Sequence, residues 1–90
     1  MTITANDIQT GCYSTLYIGG GMSFRIECIT NERDIERCTL LTDILFDEYR
    51  LYATISDDCG YLIVNIDNTD NYTDSKLCEI LVNEINNLLS

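Results

Sequence analysis

The stretch NERDIERCTLLTDILFD, Asn31 to Asp47, decides the fold, because strand and helix readings of it give different proteins. As a strand it would put Asp43 on the same side as Leu41 and Leu45, burying a carboxylate at a cost of several kcal/mol. As a helix, at about 100° per residue, it gathers Glu32, Glu36, Thr39, Asp43 and Asp47 into one stripe with Cys38, Leu41 and Leu45 opposite. Asn31 is a good N-cap for that helix. The pattern therefore predicts a helix over residues 32–47, although Thr39, Thr42 and the aliphatic run lower its propensity.

Strand signals flank this helix on both sides. After it, Asp57-Asp58-Cys59-Gly60 separates Tyr49–Ser56 from Tyr61–Asp67, two runs rich in β-branched and aromatic residues, which predicts a hairpin. Leu62, Val64 and Ile66 should face the core, with Leu51, Ala53 and Ile55 inward across the turn. Before it, Gly19-Gly20-Gly21 separates Cys12–Ile18 from Met22–Thr30. Met22, Phe24, Ile26 and Cys28 alternate with Ser23, Arg25 and Glu27, the signature of a half-buried strand in a second hairpin.

Beyond Asp67 a polar segment ends at Thr73 or Asp74, either of which can cap a helix. Leu77, Leu81, Ile85 and Leu88 then recur at helical spacing, widened by Cys78, Ile80, Val82 and Leu89, with Glu79, Asn83, Asn86 and Asn87 on the other side. Such a helix packs on a sheet, and an arc this wide leaves apolar surface for a second contact of the kind a homodimer makes. The order becomes ββαββα, with one further helical turn expected near Ala5–Ile8. This is an α+β fold: a small antiparallel sheet of about four strands with two helices packed on it. Ninety residues form a single globular domain, 1–90.

Composition narrows function more sharply than any motif. Fifteen Asp and Glu face five Lys and Arg, a net charge of −10, and histidine is absent. A hydrophobic content of 46% is too high for a disordered acidic tail. Histidine-based catalysis is ruled out, and no G-x-S-x-G, C-x-x-C or Walker loop occurs. The glycine triplet joins two strands and reads as a turn, since a phosphate cradle opens a helix. From Asp67, Tyr72 stands where a calcium loop needs glycine and Cys78 where it needs glutamate, so the Asp-rich loop is no EF-hand. No metal or cofactor is implied, and the reading is that the protein is not an enzyme.

The five cysteines, Cys12, Cys28, Cys38, Cys59 and Cys78, are an odd, widely spaced set and read as reduced, mostly buried small residues. Met1–Gln9 lacks a signal-peptide pattern, and the apolar runs are too short to span a bilayer. The expected location is cytoplasmic, with no membrane partner. Direct nucleic-acid binding is disfavoured because neutralising phosphates takes Lys and Arg that are scarce here.

An acidic surface of this strength points to a basic partner. The first candidate surface is the carboxylate row Glu32, Glu36, Asp43 and Asp47, spaced about 6 Å for residues four apart. A second combines Asp67, Asp70 and Asp74 with the loop pair Asp57 and Asp58. Among six tyrosines, Tyr49, Tyr52 and Tyr72 are placed to add rigid contact area. A complete duplex mimic about 30 Å long would need about 17 charges on one surface, whereas a short basic groove needs only about five to eight carboxylates meeting Arg and Lys.

Met1, Thr2, Ile3, Asp7, Ile8, Cys12, Tyr13 and Tyr17 are similar, with a one-residue gap, to the start of a type I-F anti-CRISPR protein. In size, acidity and helix–sheet plan the chain also resembles small phage-encoded inhibitors of bacterial defence. The resemblance implies a binder that covers the Arg- and Lys-lined DNA site of a nucleoprotein effector, acting in the host bacterium. It transfers no functional residue. The expected function is a non-enzymatic acidic inhibitor and partial DNA mimic that occupies a basic nucleic-acid-binding surface. The alternative is an intracellular acidic secretion chaperone or toxin immunity protein.

Overall fold

The computed structural model describes residues 2–12, 21–67, 69 and 71–90. Tyr13, Tyr17, Gly19, Gly20 and Asp70, and the strand expected over residues 13–18, lie outside the described residues. Four strands, β1 (Gln9–Cys12), β2 (Gly21–Ile26), β3 (Tyr52–Ser56) and β4 (Leu62–Asp67), form one antiparallel sheet in the order β1-β2-β4-β3. Between β2 and β3 run α1 (Glu32–Cys38) and α2 (Leu41–Tyr49), and α3 (Asp74–Leu89) closes the chain. A single 3₁₀ turn occupies Ala5–Asp7, where one helical turn was expected, with the Thr4 N–H donating to Asp7 Oδ2 at 2.8 Å.

The sheet has two unlike faces. Register pairs Phe24 with Val64 and Val64 with Ile55, and Met22 with Ile66 and Ile66 with Ala53, so these side chains share one face. Phe24, Ile26, Leu62, Val64 and Ile66 are fully buried there, and Ala53 and Ile55 pack at the margin. All three helices contribute to the same core through Ile35, Cys38, Leu41, Leu45, Leu77, Leu81 and Ile85. The other face carries Gln9, Ser23, Arg25, Thr54, Ser56, Asn65 and Asp67, with Tyr52 and Ile63 among them, so the alternation in sequence is polar with two exceptions.

The helix expected over residues 32–47 is bent. Asn31 caps α1 by accepting from the Arg33 N–H at 2.8 Å. At Thr39 and Leu40 the bonding tightens: the Leu40 N–H reaches Arg37 O at 3.2 Å and the Thr42 N–H reaches Thr39 O at 3.3 Å. The Thr39 hydroxyl donates to Glu36 O at 2.6 Å and the Thr42 hydroxyl to Thr39 O at 3.0 Å. Threonines that bond back to the preceding turn bend helices. After the bend α2 runs on to Tyr49, so Tyr49 is helical and the strand begins only at Tyr52. Arg50 ends it with φ 57 and ψ 35, its N–H returning to Phe46 O at 3.1 Å in a left-handed cap.

Other expectations are corrected in detail. The first strand starts at Gln9, three residues before Cys12: among the described residues β1 has only β2 as a neighbour, and its exposed residues Gln9, Thr10 and Gly11 form the polar run at its start. Cys28 is exposed: β2 stops at Ile26, a turn follows, and Ile29 takes the buried position. Cys59 is exposed in the hairpin loop and Cys78 half-buried, so of the four free cysteines described only Cys38 is fully buried. In α3, capped by the Thr73 side chain on the Lys76 N–H at 3.1 Å, the apolar arc is largely occupied by the core. No large apolar side chain of α3 is exposed among the described residues. Asn86, expected on the polar side, is half-buried and grips Ile3, accepting from its N–H at 2.8 Å and donating to its carbonyl at 2.9 Å.

Candidate interaction surface

The strands carry only two charged residues, Arg25 and Asp67. The other described carboxylates therefore sit on helices and connections, leaving the sheet face opposite the helices nearly neutral. On α1 and α2, Glu32, Glu36, Thr39, Asp43 and Asp47 are all exposed, while Cys38, Leu41 and Leu45 are buried beneath them. The amphipathic division read from the sequence thus survives the bend. None of these four carboxylates has an ion pair among the described residues, where Lys76 Nζ lies 3.7 Å from Glu79 on α3.

A shallow groove of about 340 Å³ lies between α1 and the end of β3. Its lining is Glu32, Ile35, Glu36, Thr39, Ile55, Ser56 and Asp57. Ile35 and Ile55 supply an apolar floor, and the three carboxylates stand on the rim. Asp57 reaches this place because the β3–β4 turn is tight. The Gly60 N–H bonds to Asp57 O at 2.8 Å, and Gly60 adopts φ 83, a conformation costly for any residue with a Cβ.

The structure regroups the sequence candidates. Asp57 joins Glu32 and Glu36, with Asp58 exposed beside it in the turn. Asp67 lies at the opposite end of β4, five residues from Leu62 or about 17 Å at strand rise. The expected second surface therefore separates into a turn end with Asp57 and Asp58 and an opposite end with Asp67, while Asp74 opens α3. Asp67 is half-buried and Asp74 exposed.

The tyrosines divide in the same way. Tyr72 donates its hydroxyl to Tyr49 O at 3.0 Å, and both rings are half-buried against the core. Burial, followed by the nearby charges of Glu84 and Glu48, pushes the Tyr49 phenol above its ordinary pKa. Tyr52 is different, at 58% exposed. Its ring centroid lies 5.5 Å from that of Phe46, and the Arg50 guanidinium carbon lies 5.4 Å from the Phe46 centroid. Phe46 and Leu40 are exposed too, at 41% and 52%. Sequence reasoning missed Phe46, Leu40 and Arg50. The signal was present in the doublets Leu40-Leu41 and Leu45-Phe46, since a helix can turn only one member of such a pair fully inward.

The molecule measures 34 × 25 × 23 Å. A duplex along its long axis would present about 20 charges, more than all 15 carboxylates of the chain. Among the described residues no group of three or more His, Cys, Asp or Glu is arranged to hold a metal ion, and no helix is long and apolar enough to cross a membrane. Comparison with protein-family models, curated proteins and solved structures finds no match.

Proposed function

We propose that this protein is a non-enzymatic inhibitor that occupies a basic, nucleic-acid-binding surface of a larger protein, such as a CRISPR or other bacterial defence effector. The observation that supports this reading is the set of exposed carboxylates, Glu32, Glu36, Asp43 and Asp47, that have no ion pair among the described residues, on the outside of the bent helix and continued by Asp57 across a groove. Exposed carboxylates are available to meet arginines, and a concentrated field raises the rate of encounter with a basic groove. Tyr52 and Phe46, exposed at the other end of the same helix–strand unit, add the aromatic contact that anchors interfaces. Blocking is steric and electrostatic, and no bond is made or broken.

The test is capture from bacterial lysate by the tagged protein. The proposal expects a nucleic-acid-binding partner that is released as salt is raised and lost by the double variant Glu36→Lys/Asp43→Lys. The equal charge change Asp70→Lys/Asp74→Lys shows whether the start of α3 takes part. Undiminished capture by both double variants rejects the proposal.

A further inference from the structure

Among the described residues strand β3 is an edge of the sheet, paired with β4 on one side. Its five residues, Tyr-Ala-Thr-Ile-Ser at 52–56, contain no charge, no proline and no bulge in their register with β4. Natural edges are usually guarded by one of these devices, because an unguarded row of backbone N–H and C=O groups accepts another strand. The chain has charge in abundance and places none of it here. The groove against α1 meets this strand at its Ile55–Ser56 end, so side chains on one face of a strand added there would point toward it.

From this geometry we infer that the partner contributes an extended segment that adds to β3 as a fifth strand, with Lys or Arg at two alternate positions facing α1. Glu32 and Glu36 are one helical turn apart, about 6 Å along the axis. Alternate residues of a strand repeat at about 6.6 Å, a spacing close to that of the two carboxylates, so two basic side chains on one face of such a segment are far enough apart to take one carboxylate each. Their aliphatic stems cover Ile35 and Ile55, and Asp57 closes the rim from the β3 side. A second copy of this chain does not fit the pattern, since its strands carry one basic residue, Arg25. The inference rests on the basic-partner reading above and specifies how the partner is held.

The probe is the capped peptide Thr-Arg-Thr-Arg-Thr-Val, added to the isotope-labelled protein and followed by amide NMR and hydrogen exchange. Two control peptides of equal charge carry backbone N-methyl groups at every second residue, one in each phase. Strand addition expects shifts and at least tenfold greater exchange protection within Tyr52–Ser56, and at least tenfold weaker binding by one N-methylated phase. Equal binding by all three peptides, or shifts confined to Asp43 and Asp47, overturns it. Concentration-dependent protection of Tyr52–Ser56 without peptide overturns it too, in favour of a second copy. If the peptide fails while Glu36→Lys/Asp43→Lys still abolishes capture of a folded partner, strand addition falls and the inhibitor reading stands. If the peptide fails and both Glu36→Lys/Asp43→Lys and Asp70→Lys/Asp74→Lys leave capture undiminished, both readings fall.

Discussion

Asp47 sits where an aspartate harms the fold, and replacing it separates a docking charge from a structural one. It lies in the last turn of α2, which contains no basic residue, so its charge opposes the negative end of the helix dipole. That interaction costs about 0.3–1 kcal/mol at low salt. Asp43, four residues earlier on the same face, adds a like-charge repulsion of about 0.2–0.5 kcal/mol. Asparagine has a helix propensity close to that of aspartate, so Asp47→Asn removes charge and little else. The expected gain is about 1 kcal/mol, or about 4–8 °C in Tm for a domain of this size. Since the side chain is exposed, 0.5 M NaCl should remove most of that gain. Thermal unfolding at 20 mM and 500 mM NaCl measures both effects. A loss of stability at low salt, or a gain that salt leaves unchanged, would refute the reasoning. Under the proposed function the same variant should bind a basic partner less tightly.

Asn86→Ala removes both hydrogen bonds to Ile3, each worth about 1 kcal/mol net, and so should destabilise by about 2 kcal/mol; urea unfolding checks this, and a change within 0.5 kcal/mol of zero contradicts it. Cys38 is pushed up to about 11, first by burial and then by Asp34, whereas the unfolded thiol ionises near 9.0. The unfolded chain alone therefore loses this proton between those values, so stability falls as pH rises from 9 to 11, and the fall should be shallower in Cys38→Ala. Native-state alkylation followed by mass spectrometry should modify Cys59 and Cys28 but spare Cys38 until the protein unfolds.

Much of the architecture was legible because alternation and helical spacing report burial directly. Phe24, Val64 and Ile66 fell on the core face, and Leu77, Leu81 and Ile85 on the inner side of α3, as their periods require. The bend was half legible: Thr39 and Thr42 marked weak helix, but only their back-bonding shows where the axis breaks. What local patterns miss is tertiary. Asn86 looked like any solvated asparagine until folding brought the N-terminal segment against it, 83 residues away in sequence. Cys28 kept its phase with Phe24 and Ile26, yet the strand had already ended, and periodicity carries no stop signal without a turn residue. The meeting of Asp57 with Glu32 and Glu36 depends on how the β3–β4 turn lies against α1, which no local pattern contains.

The proposed function requires the acidic helix face to compete with nucleic acid for a basic groove. Its most direct measurement is displacement of a labelled nucleic acid from the captured partner, followed by fluorescence anisotropy as this protein is added. Complete release by the wild-type protein is expected, weakened by raised salt, with at least tenfold poorer release by Glu36→Lys/Asp43→Lys. A partner that binds this protein and its nucleic acid together, or equal release by the charge-reversed variant, would contradict it.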